Sequence, residues 1–420
     1  MVSFRKLTLF VAFLVTLTGA QAAGPSLSFD PATGEVISQD RAGETWYPAS
    51  LTKMMTAYVV FKKLKSGVLT PDQRLPVSEI ALAQPASKIG APVGSMVPLE
   101  FAIQALLVHS ANDMAYVLAE AASGTWANFV GDMNKAAREL GMTASHYVNP
   151  NGLFEPRQIT TARDMGLLAA ALLREFPEHA HYFGQDYVKV GKRRLPSHNA
   201  LLRAMPDADG MKTGFVCNSG SNVVGSATRN GRKLVVVVLG SQNGKARADL
   251  AQMLLNDGFS RSADASRPRL AELANATPGS TVPTDMTAIV CKKKPVVTLT
   301  NIHDVMGAGV SLGTYDTAIK ADTALRALLL SPPGLEADTT VGVVRLPGKD
   351  GYMAAMWGMD ASRSASVCDQ YREMNTACEV VSPIAFAEIA ATVPMPKETA
   401  ARLSAQGSEV DPKKPAADWE

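Results

Sequence analysis

Ser50 and Lys53 stand three residues apart in Pro48-Ala49-Ser50-Leu51-Thr52-Lys53. On a helix that spacing puts both side chains on one face, so the amine reaches back over a turn toward the hydroxyl. A serine becomes a useful nucleophile when a neighbour accepts its proton, and a lysine does so where its surroundings favour the neutral form. The pair alone carries little, since a second S-x-x-K runs from Ser3 to Lys6. Two further groups give it weight. Ser110-Ala111-Asn112 falls between helical runs, where a short polar loop aims a hydroxyl and an amide into a cleft. Lys212-Thr213-Gly214 is the only K-T-G in the sequence; on a strand edge it would show a cation and a hydroxyl, with Gly214 letting a ligand backbone come close. Ser197-His198-Asn199 and Ser241-Gln242-Asn243 also read S-x-N, but the first lacks the helix-loop-helix setting and the second follows K-T-G, out of order.

The elements that must position these groups show in the periodicity. Leu27–Phe29 and Glu35–Gln39 flank a Pro/Gly turn and predict a β-hairpin. From Pro48 to Phe61 the pattern is helical, with Ser50 at or just inside the N-terminus. Residues 70–175 read as mostly helical, with apolar spacing of three to four over Leu99–His109, Asp113–Ala122, Trp126–Leu140 and Ala162–Glu175. Val223–Ala227 and Leu234–Leu239 bracket Asn230-Gly231, a strong hairpin signal, and a helix over Ala246–Asn256 follows. Strands, helices, strands, helix in that order predict an α/β fold. An antiparallel sheet is sandwiched by helices and carries an all-α lobe.

Beyond residue 262 the composition shifts. Ala276–Pro283 reads as a linker, and Thr340–Leu346, Ser364–Met374 and Cys378–Val381 read as strand, helix and strand of a small C-terminal α/β or β-rich domain. The expected organisation is a signal peptide over 1–22, a catalytic domain over 23–262, a linker over 263–285, an accessory domain over 286–395 and a disordered polar tail over 396–420.

Forty-one Lys and Arg against 39 Asp and Glu leave a formal charge of +2, which argues against nucleic acid as a partner. Arg5 and Lys6 precede an apolar run, Leu7–Leu17, and Ala20-Gln21-Ala22 offers a small-residue cleavage site, so the N-terminus reads as a secretory signal. That run is too short to span a bilayer, which takes about 20 residues. A periplasmic or secreted protein is expected. Export permits disulfides, and four cysteines allow three connectivities. Cys368 and Cys378 are close enough to staple one unit, while spacing does not decide whether Cys217 pairs with Cys291. With one close histidine pair, His179 and His181, and no H-E-x-x-H or paired C-x-x-C, neither metal nor cofactor is expected.

Together the three triplets resemble the signature of the penicillin-binding proteins, and within them the serine-type D-alanyl-D-alanine carboxypeptidases. The resemblance spans about 25–262 and extends to Asn149-Pro150-Asn151-Gly152-Leu153, Thr161-Ala162-Arg163-Asp164-Met165 and Asp209–Phe215. Ala111 departs from it, since the carboxypeptidases commonly carry Gly there. The resemblance implies that Ser50 attacks the penultimate D-Ala carbonyl, Lys53 takes its proton and Ser110 relays one to the leaving amine. It also implies that the backbone N–H groups of Ser50 and Phe215 hold the oxyanion, beside Gly214. Asn112 would hold the substrate amide, and Lys212, Thr213 and Arg247 the terminal carboxylate; His198 lies near the site. The implied substrate is the peptidoglycan stem peptide, the implied covalent inhibitors are β-lactam antibiotics, and membrane contact is at most peripheral. A D,D-endopeptidase and an idle peptidoglycan-binding scaffold share the pattern. A β-lactamase of this order needs an E-x-x-L-N loop between the second and third motifs, and Glu155 has no such context. The strand-helix-strand around Cys368 and Cys378 resembles either a small peptidoglycan-binding SPOR-type module or a disulfide-clasped appendage.

Overall fold

A computed structural model describes residues 24–276, 283–291, 299–329, 339–346, 351–374 and 376–391. The signal over 1–22 and the tail over 396–420 lie outside the described residues, as does part of the linker.

The first sheet is built from both ends of its domain: β1 (Ser26–Phe29), β2 (Val36–Asp40), β3 (Ala208–Val216), β4 (Gly220–Arg229) and β5 (Arg232–Ser241). All pairs are antiparallel in the order β2-β1-β5-β4-β3, which leaves β3, the K-T-G strand, on an edge. The continuous apolar run of β5 follows from burial on both faces. Val235, Val237 and Leu239 join the core beneath the helical lobe, while Leu234, Val236 and Val238 join a second core under a C-terminal helix. The two-residue loop between β4 and β5 is tight, and Asn230 and Gly231 both have positive φ, as their turn requires.

Between β2 and β3 lie α1 (Thr52–Lys65), α2 (Leu99–Leu107), α3 (Asn112–Ser123), α4 (Trp126–Glu139) and α5 (Ala162–Glu175); α6 (Gly244–Ser260) follows β5. Every residue of α1 from Thr52 to Phe61 is buried, so it is the central post of the lobe. Its last turn, with Lys62, Lys63 and Lys65, reaches solvent where cations suit a helix C-terminus. Thr161 caps α5 by accepting from Asp164 N–H. The Asp164 carboxylate, fully buried, accepts in turn from Ala144 N–H, Ser145 O–H, Arg163 and Asn275. The sequence reading missed two short ribbons, Arg74–Pro76 with Met96–Pro98 and Tyr187–Val190 with Arg193–Pro196.

A second sheet comprises β6 (Leu299–Thr300), β7 (Ala308–Tyr315), β8 (Thr340–Leu346), β9 (Gly351–Met359) and β10 (Glu379–Val381), in the order β6-β8-β9-β7-β10. With α7 (Ala318–Leu328) and α8 (Ala361–Glu373) it has a split βαβ-βαβ connectivity. Both helices cover one face, and α9 (Pro383–Ala391) packs its Phe386 on the other. Disulfides join Cys217 to Cys291 and Cys368 to Cys378. No helix among the described residues is long and apolar enough to cross a membrane.

Candidate active site

Ser50 does not lie on α1 itself. It sits in a single 3-10 turn, Ala49–Leu51, that leads into the helix, and Ala49 holds a left-handed φ of 49°. The sheet fixes this turn. Asn222 on β4, wholly buried, donates to Tyr47 O (2.9 Å) and Pro48 O (3.2 Å) and accepts from Gly240 N–H (2.9 Å). Two glycines let other segments close on the same turn. A Cβ at Gly214 would stand 2.8 Å from Pro48 O and 3.0 Å from Ser50 N. One at Gly152 would overlap Ala49 O outright, and Gly152 also has a φ of +84°.

Lys53, one turn on, is fully buried and meets three oxygens: Ser50 Oγ at 3.1 Å, Asn112 Oδ1 at 2.8 Å and the Asn151 carbonyl at 2.5 Å. Burial, and then the charge of Lys212, hold its pKa well below the ordinary lysine value, against a weaker pull upward from Asp113. Asn112 is oriented by its amide, which donates to Pro85 O at 3.0 Å. Asp113 accepts from Ile89 and Gly90 N–H and so ties the 87–90 segment over the loop.

Ser110 occupies the left-handed region, with φ of 61°. A non-glycine residue held there stores strain of about 1–3 kcal/mol, which often marks a functional position. Its Oγ accepts from Lys212 Nζ at 3.0 Å, and the same Nζ donates to Thr213 O at 2.8 Å. Lys212 is 2% exposed, so this cation stands behind Ser110 instead of facing a ligand from the strand edge. Burial, and then Arg247, bring its pKa down to about 7. Arg247 approaches from α6, its guanidinium donating to Asn222 O and His198 O, and burial lowers it to about 10. His198 stacks on His109, with centroids 5.2 Å apart. Partial desolvation, and then Lys212 and His109, push His198 to about 4, so it adds no charge at neutral pH.

A cleft of about 610 Å³ opens over these groups. Of the residues singled out in sequence, Ser50, Ser110, Asn112, Thr213, Gly214, Phe215, Arg247 and His198 line it, while Lys53 and Lys212 lie beneath its floor. No Asp or Glu lines it among the described residues. Glu155 turns away to bind Arg157. Asn222 and Asp113 escaped the sequence reading, which quoted Asn151 only within a matching motif and gave it no role. Asn151 acts through a backbone oxygen, and Asn222 has no motif around it, but Asp113 directly follows Ser110-Ala111-Asn112 and was readable there.

A mixed sheet-and-helix body with S-x-x-K, S-x-N and K-T-G groups converging on one cleft defines the fold class of the penicillin-binding proteins and serine β-lactamases. The family model for D-alanyl-D-alanine carboxypeptidases, peptidase family S11, matches residues 16–243. The chain belongs to that family. It is similar to D-alanyl-D-alanine carboxypeptidase DacC of Escherichia coli K12, 36% identical over 238 residues, covering 55% of this chain and 59% of the relative. The match thus spans about three-fifths of the length of the curated relatives. Among solved structures it is similar to penicillin-binding protein 5 of Haemophilus influenzae, with 33% identity, a TM-score of 0.55 and coverage of 57% of this chain and 71% of that one. Penicillin-binding protein D2 of Listeria monocytogenes, in its cefotaxime-bound form, is 28% identical with a TM-score of 0.52, covering 57% and 97%.

Proposed function

We propose that this chain removes the terminal D-alanine from peptidoglycan stem pentapeptides, through an acyl-enzyme on Ser50. The carrying observation is the set of oxygens around Lys53. In its neutral form the amine has two N–H donors and one lone pair. Asn112 Oδ1 and the Asn151 carbonyl are pure acceptors and engage the two N–H groups, which leaves the lone pair for the Ser50 hydroxyl.

Ser50 Oγ attacks the carbonyl carbon of the penultimate D-Ala as Lys53 takes its proton. Gly214 lies against Ser50 N, and Phe215 follows it on β3, which suits the N–H groups of Ser50 and Phe215 as a pair of donors for the oxyanion, each typically worth about 3 kcal/mol. Ser110 relays the proton held by Lys53 to the leaving amine, the C–N bond breaks and D-Ala departs. Water then hydrolyses the ester and restores Ser50. Thr213 and Arg247 receive the terminal carboxylate, while Lys212 adds positive potential from behind Ser110. A peptidase that cuts only the last residue needs such recognition of a free C-terminal anion.

Among the described residues no carboxylate lines the cleft to activate water, so hydrolysis is slow where, as in a penicilloyl ester, the leaving amine stays tethered over the acyl group, and β-lactams act as covalent inhibitors. Two disulfides accord with work in an oxidising, extracytoplasmic compartment. The organisation we infer places this activity in residues 23–262, followed by an accessory domain over 286–395. The test is release of one D-Ala per molecule from a peptide ending in D-Ala-D-Ala. Release that disappears in Ser50→Ala supports the reading, and release that survives it refutes Ser50 as nucleophile.

A further inference from the structure

The one-turn helix Thr287–Val290 lies past the linker, yet it forms part of the cleft wall. Val290 lines the cleft, and three ties hold its segment there. Cys291 is bonded to Cys217, immediately beyond the end of β3. Met286 N–H donates to Asn218 O, and the Met286 side chain is fully buried in the core of the catalytic domain. Asp285 accepts from the Asn218 amide at 2.9 Å.

The direction of the bound peptide says what Val290 would meet. This step rests on the reading above, with the terminal carboxylate at Thr213 and the scissile carbonyl at Phe215. Residues two apart on a strand share a face, so both points look into the cleft, and the substrate runs antiparallel to β3. The residue preceding the scissile D-Ala-D-Ala pair must then lie beyond Phe215, beside Val216 and under Val290. Phe215, half-exposed, and Leu153 are further apolar residues that line the cleft. We propose that Val290, clasped by the Cys217–Cys291 disulfide, is a specificity-determining residue that contacts an aliphatic side chain on the substrate residue preceding the D-Ala-D-Ala pair.

The test compares kcat/KM for Nα,Nε-diacetyl-L-lysyl-D-Ala-D-Ala with that for N-acetylglycyl-D-Ala-D-Ala, on the full chain. The wild type should prefer the lysyl peptide, and Val290→Asp should cut that preference by about tenfold, the scale of losing a methylene or two of apolar contact. Cys217→Ser/Cys291→Ser, with circular dichroism confirming the fold, should cut it in the same direction and serves if Val290→Asp does not fold. An unchanged preference in a folded variant overturns the proposal. A wild type that releases D-Ala from neither peptide would instead overturn the carboxypeptidase reading on which it rests.

Discussion

Replacing Asn112 with Asp tests the chemistry of Lys53 without touching Lys53. Asn112 Oδ1 stands 2.8 Å from Lys53 Nζ, and the two are 5% and 0% exposed. The substitution sets a carboxylate against the amine where solvent screens little. At an effective dielectric constant near 20, two unit charges about 3 Å apart attract by about 5 kcal/mol, an upper bound before desolvation. An opposite charge at such range typically shifts a pKa by about 1–3 units. Since burial and Lys212 hold Lys53 low, and the neutral amine is the active form, raising its pKa moves the acid limb of the acylation rate to higher pH. A shift of two units lowers the rate about 100-fold at pH values on the acid limb, with recovery as pH rises. Loss of the amide donor to Pro85 O costs about 1–3 kcal/mol at every pH and lowers the plateau, not the position of the limb. The assay is the rate of acylation by benzylpenicillin from pH 5 to 10, read by rapid-quench mass spectrometry. A profile uniformly depressed, with its acid limb unmoved, would refute Lys53 as the base.

Gly214→Ala forces a Cβ against Pro48 O and Ser50 N, so the nucleophile's turn must yield by a few tenths of an ångström; kcat/KM for D-Ala release should fall about tenfold or more, with a smaller change in melting temperature. Lys212 is positively charged only below its pKa of about 7, so kcat/KM for a peptide with a free C-terminal carboxylate should decline as pH rises through that region. The corresponding C-terminal amide should lose this basic limb, which a paired pH profile would reveal. Asp164→Asn removes the charge that balances Arg163 in the interior, leaving the guanidinium only backbone carbonyls as partners, and should destabilise the fold by about 3–5 kcal/mol in urea unfolding.

Much of the site was legible because its chemistry follows local rules. Ser50 and Lys53 meet over one turn, Ser110 and Asn112 flank one loop–helix junction, and local setting told them from the stray match at Ser197, as motif order did from that at Ser241. The central strands showed themselves by length and apolarity, as in the run from Leu234 to Leu239. What stayed hidden depends on distant contacts. The acceptor at Asn151 is a backbone oxygen 98 residues from Lys53, and no side-chain pattern advertises it. Nor does K-T-G reveal that its lysine is buried behind Ser110, because burial depends on how β3 meets the helical lobe. Cys217 and Cys291, 74 residues apart, gave no clue from spacing. Strand β7 was missed because Gly309 and Gly313 interrupt its alternation, so the connectivity of the second sheet was unreadable.

The most direct measurement is intact-mass spectrometry of the purified protein with and without benzylpenicillin, followed by peptide mapping. The account expects one long-lived penicilloyl group on the peptide that carries Ser50, absent in Ser50→Ala. A protein that gains no adduct, or carries it on another residue, would contradict the assignment of Ser50 as the nucleophile.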